Sequence, residues 1–272
     1  MSAVLDPAPA ASASGWRGAG LARVLVSLGG VAALLGLWQL GGALIAASPS
    51  IAAFADLAPG PTLARLVEMI ASGEAWRMTA PSLTRIGLGL AWAIAIGVPT
   101  GLALGAFPLL RAATNLPFQF LRMISPLSWM PMAILAFATW DAAIVFLVAV
   151  AAVWPIVFAT AAGYRRIDPS WLRVARNLGA RPAHLLVHVI LPAIAQDVLT
   201  GIRLALGVAW VVLVPAEFLG VTSGLGYAIN DARDTLEYDR LMAIVLIIGA
   251  IGFCLDTLCQ RAIASRSWQR EP

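Results

Sequence analysis

The chain has 272 residues, of which 60% are hydrophobic and only 12% are charged. An ordinary soluble domain is about half apolar and about a quarter charged, so the composition excludes that class of protein. The formal net charge is only +4, and all 18 of the Lys and Arg positions hold arginine. A bilayer core about 30 Å thick needs about 20 apolar helical residues, which leaves room for about six spans. The long, uninterrupted apolar runs therefore predict an all-α integral membrane protein.

The N-terminal part of the chain predicts a tail, a first span and a surface helix. Residues 1–20 are rich in Ala, Ser, Pro and Gly, which predicts a flexible cytoplasmic tail rather than a cleaved signal peptide and leaves 21–272 as one membrane domain. The first span is predicted at 24–47, and a Pro- and Gly-containing linker ends it. Residues 61–76 have apolar positions at helical spacing but are too few to span, so they predict an amphipathic helix on the membrane surface.

Five further apolar runs complete a set of six predicted spans. They lie at 82–107, 115–139, 142–163, 196–219 and 241–264. Pro126 and Pro131 fall inside the third span, and such breaks are tolerated in a membrane only where protein or a water-filled path satisfies the freed carbonyl groups. The second span carries Gly97, Gly101 and Gly105 at four-residue spacing, which predicts close helix packing, within the chain or against a partner.

The arginines predict the orientation of the spans. If the N-terminus is cytoplasmic, eleven arginines lie on the inner side, five lie on the outer side and two fall within spans. The outer set is Arg65, Arg77, Arg85, Arg233 and Arg240. Positively charged loops favour the cytoplasm, so both termini and the loop 164–195 are predicted to be cytoplasmic.

The loop 164–195 is basic and contains two predicted helices. The stretch "SWLRVARNLG" predicts a short amphipathic helix that begins after a proline and ends at Gly179, and "ARPAHLLVHVILP" predicts a second helix closed by Pro192. A helix–Gly–helix unit with apolar residues on one face suits docking to a soluble partner protein. From the residues alone, the alternative is an interfacial helix that lies on anionic lipid.

Two histidines in this loop have the spacing of a metal pair. His184 and His188 are four residues apart on one helix face, but no further His or Cys lies nearby in the sequence. We therefore expect them to contact a partner or lipid, and we predict no metal site.

The same loop carries a resemblance to a known family. The stretch "RVARNLGARPAHLLVHVILP" resembles the EAA loop of binding-protein-dependent ABC importer permeases, whose pattern is Glu-Ala-Ala, three residues, Gly, nine residues, Ile-x-Leu-Pro. The positions that match or stand for this pattern are Ala175, Gly179, Val189, Leu191 and Pro192. Arg173 and Val174 occupy the places of the Glu and the first Ala, and the spacing of the pattern is intact.

The resemblance extends over most of the chain from about residue 24. The stretches "PTLARLVEMIASGEAW", "LRMISPLSWMPMAILAF" and "GIRLALGVAWVVLVPAEFLG" are similar to the nitrate, sulfonate and taurine branch of that superfamily. The resemblance implies the type I importer permease fold with six transmembrane helices, both termini cytoplasmic, in a bacterial inner membrane. It also implies a homodimer of this chain, two ABC ATPase subunits on the cytoplasmic side and a periplasmic or lipid-anchored substrate-binding protein.

The resemblance further implies that the loop 164–195 couples the chain to the ATPase. The residues carried over to this role are Trp171, Arg173, Val174, Ala175, Arg176, Leu178, Gly179, Leu191 and Pro192. The chain itself has no lysine and no match to the phosphate-binding pattern G-x-x-x-x-G-K-[ST]. ATP and Mg are therefore expected on the partner ATPase, with no cofactor on this chain, which is a translocation subunit and not an enzyme. Membrane lipid is an expected partner and nucleic acid is not.

Charged residues within spans are candidates for the translocation path, because each costs about 2.5 to 3.5 kcal/mol at mid-membrane. If the cargo is a small anion, Arg122 is predicted to lie near its path, with Ser125, Ser128 and Trp129 lining that path. The alternative is that Arg122 and Arg203 extend to the cytoplasmic face or pair with a carboxylate.

Glu217 lies near the outer end of the fifth predicted span. It is a candidate to gate the path, to contact the binding protein or to brace Arg233 or Arg240 structurally. We favour the structural role, because a bare carboxylate repels an anionic cargo.

Other functions leave different traces in a sequence. A stand-alone secondary carrier, or another polytopic membrane protein not coupled to an ATPase, is the alternative; such a carrier is expected to have an internal repeat and acids deep in its spans, and no clear inverted repeat is found. An intramembrane hydrolase needs a nucleophile and a base, and no His lies in a predicted span. Nitrate, bicarbonate, alkanesulfonates, taurine and uncharged pyrimidines are carried by systems with similar permeases, so the sequence predicts a small anion of the nitrate, sulfonate or taurine type without choosing one.

Overall fold

A computed structural model describes residues 15–267 of the chain, with side chains described from 25 to 265. Within these residues the regular elements are all helices, as the composition predicts. The chain divides into two compact units, one up to Ala64 and one from Arg65 onward.

The first unit contains α1 (Gly15–Ala47) and a 3₁₀ turn (Ala52–Leu57). The indole N–H of Trp38 donates to the Leu57 carbonyl at 2.8 Å, which ties the turn to the helix. Residues 25–47 of α1 are long and apolar enough to cross a membrane, so the first predicted span is confirmed. Most of the predicted tail, residues 1–14, lies outside the described residues, and residues 15–20 already belong to α1.

The other helices follow in short succession. They are α2 (Pro59–Ala71), α3 (Glu74–Ala106), α4 (Pro108–Met123), α5 (Met130–Ala136), α6 (Trp140–Arg165), α7 (Pro169–Asn177), α8 (Pro182–Leu185), α9 (Leu191–Gly220), α10 (Leu225–Asp234) and α11 (Tyr238–Ser267). A 3₁₀ turn (Pro126–Trp129) joins α4 to α5, and a π-helical turn (Leu186–Ile190) joins α8 to α9.

Five stretches of helix among the described residues are long and apolar enough to span a bilayer. They are Leu25–Ala47, Glu74–Ala106, Trp140–Arg165, Pro182–Gly220 and Tyr238–Ser265. These correspond to five of the six predicted spans. The third predicted span, 115–139, is instead divided between α4, the 3₁₀ turn and α5, with Pro126 and Pro131 at the starts of the last two. The prolines begin new helices there because they lack the N–H that would continue the preceding one.

Two predicted boundaries are wrong. The predicted surface helix at 61–76 ends at Ala71, and the second span begins at Glu74 rather than at residue 82, with Pro81 inside it. Pro192 does not close the helix before the fifth span, because helix continues from Pro182 to Gly220. The Leu191 N–H donates to the carbonyl of Leu186, five residues earlier, so the wider π-helical turn accommodates a proline with no N–H to donate.

The core of the second unit lies where α3 packs on α6 and α6 packs on α9. Four glycines of α3 face α6 and allow this close approach, which confirms the prediction of tight packing within the chain. An added Cβ would meet a side chain of α6 at each of them: Gly89 against Val148, Gly97 against Ile156, Gly101 against Thr160 and Gly105 against Tyr164. Large side chains of α6, including Ile144, Leu147 and Ile156, are fully buried behind this contact.

Gly101→Leu is expected to disrupt the α3–α6 contact, because its Cβ would lie 2.6 Å from both the Thr160 Cβ and the Val157 carbonyl oxygen. Overpacking of this kind costs about 1–3 kcal/mol or more. Gly87→Leu on the same helix is the matched control, since nothing lies within 4 Å of a Cβ there. Thermal unfolding of the purified protein in detergent should give a lower midpoint for Gly101→Leu only. Equal midpoints for the two variants would contradict the assigned packing.

Candidate functional site

Helix α7 lies in the middle of the predicted coupling loop, and both of its ends are fixed by local hydrogen bonds. Asp168 caps the first turn, because its carboxylate accepts from the Ser170 N–H at 2.8 Å, and this backbone hydrogen bond lowers the pKa of Asp168. At the other end Gly179 has φ +82°, the Gly179 N–H donates to Arg176 O and the Ala180 N–H donates to Ala175 O. This is the Schellman arrangement that a glycine after the last helical turn predicts.

Helix α7 has one face packed on the protein and one apolar face that is exposed. Leu172 and Ala175 pack against a buried cluster formed by Ile167, Leu185, Ile190 and Ile194. Trp171, Val174 and Leu178 point the other way, with exposed fractions of 58%, 57% and 82%. We call these three residues the α7 stripe. A short helix held from behind with an apolar stripe in front is suited to enter a groove of another protein.

The remaining loop residues surround this helix. Arg173 and Arg176 are exposed on α7. Leu191 and Pro192 begin α9. An ion pair between Arg166 and Asp197 joins the end of α6 to the first turns of α9. A movement of α7 is therefore passed to α9 through packed side chains and a charged contact.

His184 and His188 stack with their ring centroids 4.1 Å apart. His188 Nδ1 lies 3.2 Å from the His184 carbonyl oxygen. No group of three or more metal-ligating side chains occurs among residues that the structure describes. The role of this pair in contacting a partner or lipid stays a prediction.

A buried ion cluster lies near the opposite end of α9. Glu217 is fully buried and Arg85 is 4% exposed, and Arg85 Nη1 donates to Glu217 Oε1 at 2.6 Å. Arg85 Nη2 also lies 2.6 Å from an oxygen of Asp141, the second residue of α6. Ser82 Oγ donates to Glu217, and the Gly226 N–H donates to the same carboxylate at 3.0 Å. The cluster thus joins α3, α6, α9 and the start of α10.

This cluster confirms a structural role for Glu217 but corrects its partner. Arg240 binds Glu74, Asp231 and Glu237, whereas Arg233 pairs with its neighbour Asp234. Neither is the partner of Glu217, and Arg85, which we counted among the outer-loop arginines, is buried inside α3. The sequence signal that pointed to Arg85 is an arginine one turn inside an apolar span, while an acid lies at the matching end of two others.

The other two charged candidates within spans have different partners. Arg203 pairs with Asp256 of α11 at 2.7 Å, so the alternative of a carboxylate pair is confirmed for it. Arg122, in the last turn of α4, lies over the ring of Phe158 at 5.4 Å from the centroid.

Arg122 opens onto a cavity of about 590 Å³ between α4, α6 and α9. Ile124, Trp154, Leu204 and Val208 form part of its wall. Of the residues predicted to line a path, Arg122 alone belongs to the described lining of this cavity. Ser125 and Ser128 are exposed on the turn after α4, Trp129 packs against the main core, and Glu217 lies in the ion cluster.

The arrangement of long apolar helices defines a multi-pass membrane protein of the transport type. Residues 93–267 match the family described as "Binding-protein-dependent transport system inner membrane component". This match includes the second half of α3, the coupling loop, the cavity and α11. The chain belongs to this family, whose members are the membrane permease subunits of ABC importers.

Three relatives and one solved structure agree with this assignment. The bicarbonate transport system permease protein CmpB of Synechococcus elongatus is 38% identical over 68% of this chain, and the match covers 66% of CmpB. The taurine permease protein TauC of Escherichia coli is 32% identical over 92% of this chain and 91% of its own length. The nitrate import permease protein NrtB of Leptolyngbya laminosa is 32% identical over 68% of this chain and 66% of its own length.

The solved structure is a chain of the MetNI methionine ABC transporter. It has a TM-score of 0.57 and 15% identity, and the match covers 69% of this chain and 93% of that chain. The likeness shows that the fold is that of the type I ABC importer permeases.

Glu217→Ala is expected to lower the stability of the protein strongly, because it leaves the buried Arg85 with an incomplete set of acceptors. Breaking a buried pair by removing one partner costs about 3–5 kcal/mol. Glu68→Ala is the control, since Glu68 forms an ion pair with Arg65 but its side chain is 65% exposed, and exposed pairs contribute less than about 1 kcal/mol. The midpoint of thermal unfolding in detergent should fall far more for Glu217→Ala. Similar midpoints would show that the cluster does not hold the helices together.

Proposed function

We propose that this chain is the translocation subunit of an ATP-driven importer that moves a small anion across a bacterial inner membrane. In this proposal a separate extracytoplasmic binding protein delivers the anion, and a separate ABC ATPase supplies the energy. ATP and Mg bind to that ATPase and not to this chain. Residues 21–272 form the permease domain, with both termini in the cytoplasm, and two copies of the chain form the membrane channel.

The observation that carries the proposal is the two-faced helix α7. A solvent-exposed stripe of Trp171, Val174 and Leu178 is costly unless something covers it, and the Schellman end at Gly179 holds the helix in a fixed direction. The family supplies the partner, because ABC importer permeases receive work from an ATPase. We infer that the α7 stripe enters a groove of that ATPase.

Helix α9 is the proposed connection between ATP hydrolysis and the path of the anion. It has 30 residues and is therefore about 45 Å long. One end is held to the α7 region through Arg166 and Asp197, and the other end is held by Glu217 in the ion cluster. Leu204 and Val208, in its middle, line the Arg122 cavity. A push on α7 therefore moves the wall of this cavity, which is the motion that alternating access requires.

The anionic cargo is supported by two independent observations. Relatives at 32–38% identity are named as permeases for bicarbonate, taurine and nitrate, which are all small and acidic or zwitterionic. In this chain the Arg122 guanidinium faces a cavity at the level of the long helices. Ser125, Ser128 and Trp129, on the turn that follows, are proposed to meet the anion elsewhere along its path. Glu217 is proposed to act only as a brace.

The proposal is tested by purification and reconstitution. The chain is co-expressed with the ATPase encoded beside it and with the matching binding protein, and uptake into proteoliposomes is measured with and without ATP. We expect the ATPase to co-purify and uptake to require ATP, binding protein and anion together. If the chain isolates alone and transports without any ATPase, it is a stand-alone secondary carrier and the proposal is wrong.

Leu178→Asp is expected to release the ATPase from the complex, because it places a charge at the most exposed position of the α7 stripe. Leu236→Asp is the matched control: Leu236 is 66% exposed and lies between α10 and α11, beyond the far end of α9. Pull-down of the ATPase with each tagged variant gives the measurement. Loss of the ATPase from both variants, or from neither, would argue against docking at α7.

Gly179→Val is expected to abolish the stimulation of ATP hydrolysis by loaded binding protein, because a β-branched residue is strained at φ +82°. Gly73→Val is a close control, since Gly73 also has a positive φ, of +73°, and also has nothing within 4 Å of its Cβ position. Both variants carry a similar backbone penalty, but only one alters α7. Insertion is checked by the yield of folded protein. Normal coupling in Gly179→Val would rule out the loop assignment.

A further inference from the structure

A row of aromatic rings leads from α4 to Arg122 along the wall of its cavity. The rings of Phe118 and Trp154 meet edge to face at 5.4 Å, and those of Trp154 and Phe158 stack at 6.4 Å. The guanidinium of Arg122 lies over the far side of this row, on Phe158. Trp154 and Phe158 are one helical turn apart on α6, so the row follows the helix. We call these three rings the aromatic row.

The cavity lies at the depth of the long apolar helices and not at their ends. Phe158 precedes the end of α6 at Arg165 by seven residues, which is about 10 Å of helix. Leu204 and Val208, on the opposite wall, lie near the middle of the 30 residues of α9. Arg122 is therefore held where a charge is costly, and such a position favours a functional role.

Arg122 differs from the other arginines at this depth in having its charge available. Arg85 is neutralised by Glu217 and Asp141, and Arg203 is neutralised by Asp256. None of the ion pairs among the described side chains includes Arg122, whose partner is the face of Phe158. A cation over an aromatic ring keeps its N–H groups free at the edge. The cavity thus offers one charged donor group.

The rest of the described cavity wall is apolar. Besides Arg122, its lining consists of Ala, Val, Ile, Leu, Pro, Phe and Trp side chains. A small inorganic anion such as nitrate or bicarbonate loses its hydration on every side in such a place and regains hydrogen bonds on only one. An organic anion has one acidic end for the guanidinium and an apolar part for the aromatic row, so each part meets a matching surface.

We propose that this cavity binds an organic monoanion, with its sulfonate or carboxylate group on Arg122 and its apolar part against Trp154 and Phe158. This inference rests on the proposed function, because it identifies the class of cargo that the importer carries. It excludes nitrate and bicarbonate as ligands of this site. The aromatic row sets the preference for the apolar part, and Arg122 sets the preference for the charge.

The test is equilibrium binding of tritiated benzenesulfonate to the full-length chain in nanodiscs of phosphatidylcholine. We expect saturable binding that Arg122→Gln weakens by about tenfold or more, the usual effect of losing a charge-assisted hydrogen bond. Phe158→Leu should weaken it by a smaller factor. Arg111→Gln on the same helix is the control, because Arg111 does not belong to the described lining of the cavity, and it should bind like the parent. Binding that does not change in Arg122→Gln would overturn the proposal.

Competitors distinguish the possible ligands. Unlabelled pentanesulfonate should displace the probe, whereas nitrate and bicarbonate at the same concentration should not; displacement by these two would overturn the preference for organic anions. In nanodiscs that contain phosphatidylglycerol, Arg122-dependent loss of the probe would assign the site to lipid and overturn its role in cargo binding. No ATPase is present in this assay. A failure here therefore leaves the coupling result intact, and a failure of ATPase coupling leaves this result intact.

Discussion

The buried pair of Arg85 and Glu217 is the contact on which the arrangement of the helices depends. Two charges are taken out of water at the ends of α3 and α9, and this is tolerated only where nearly every donor and acceptor is satisfied. Ser82, Ser223 and the Gly226 N–H complete that set. Since the partners come from four different helices, none of the helices can shift alone without leaving a buried charge incomplete. The cluster therefore fixes one end of the bundle.

Along α3 and α6 the same rigidity comes from the absence of side chains. At Gly89, Gly97, Gly101 and Gly105 the two backbones approach so closely that a methyl group would overlap the neighbouring helix. In a membrane, where lipid is as apolar as leucine, such close packing is a main source of helix association. The bundle is thus held at one end by charge and along its length by shape. Movement is left to the other end, where α7, the π-helical turn and the start of α9 lie.

The sequence predicted those features that are encoded in neighbouring residues. The spans follow from the lengths of apolar runs, and the end of α7 follows from a glycine after the last helical turn, where a positive φ is needed. The Arg85–Glu217 pair could not be assigned, because the partners are 132 residues apart and several acids near span ends were equally suitable. The continuation of helix through Pro192 was missed for a related reason. It depends on the π-helical turn, and its only sequence signal was the proline itself, which normally predicts an end.

The positions of the arginines separate structural from functional charge. Arg85, Arg203 and Arg166 each reach a carboxylate on another helix, so their charges are spent on joining α3, α6, α9 and α11. Arg122 belongs to α4, which ends two residues before the 3₁₀ turn that divides the third predicted span. The break in that span removes the side chains that a continuous helix would place beside Arg122, and the space becomes the cavity. The two prolines and the arginine therefore act together: the first open a space between helices at membrane depth, and the second gives that space a charge preference.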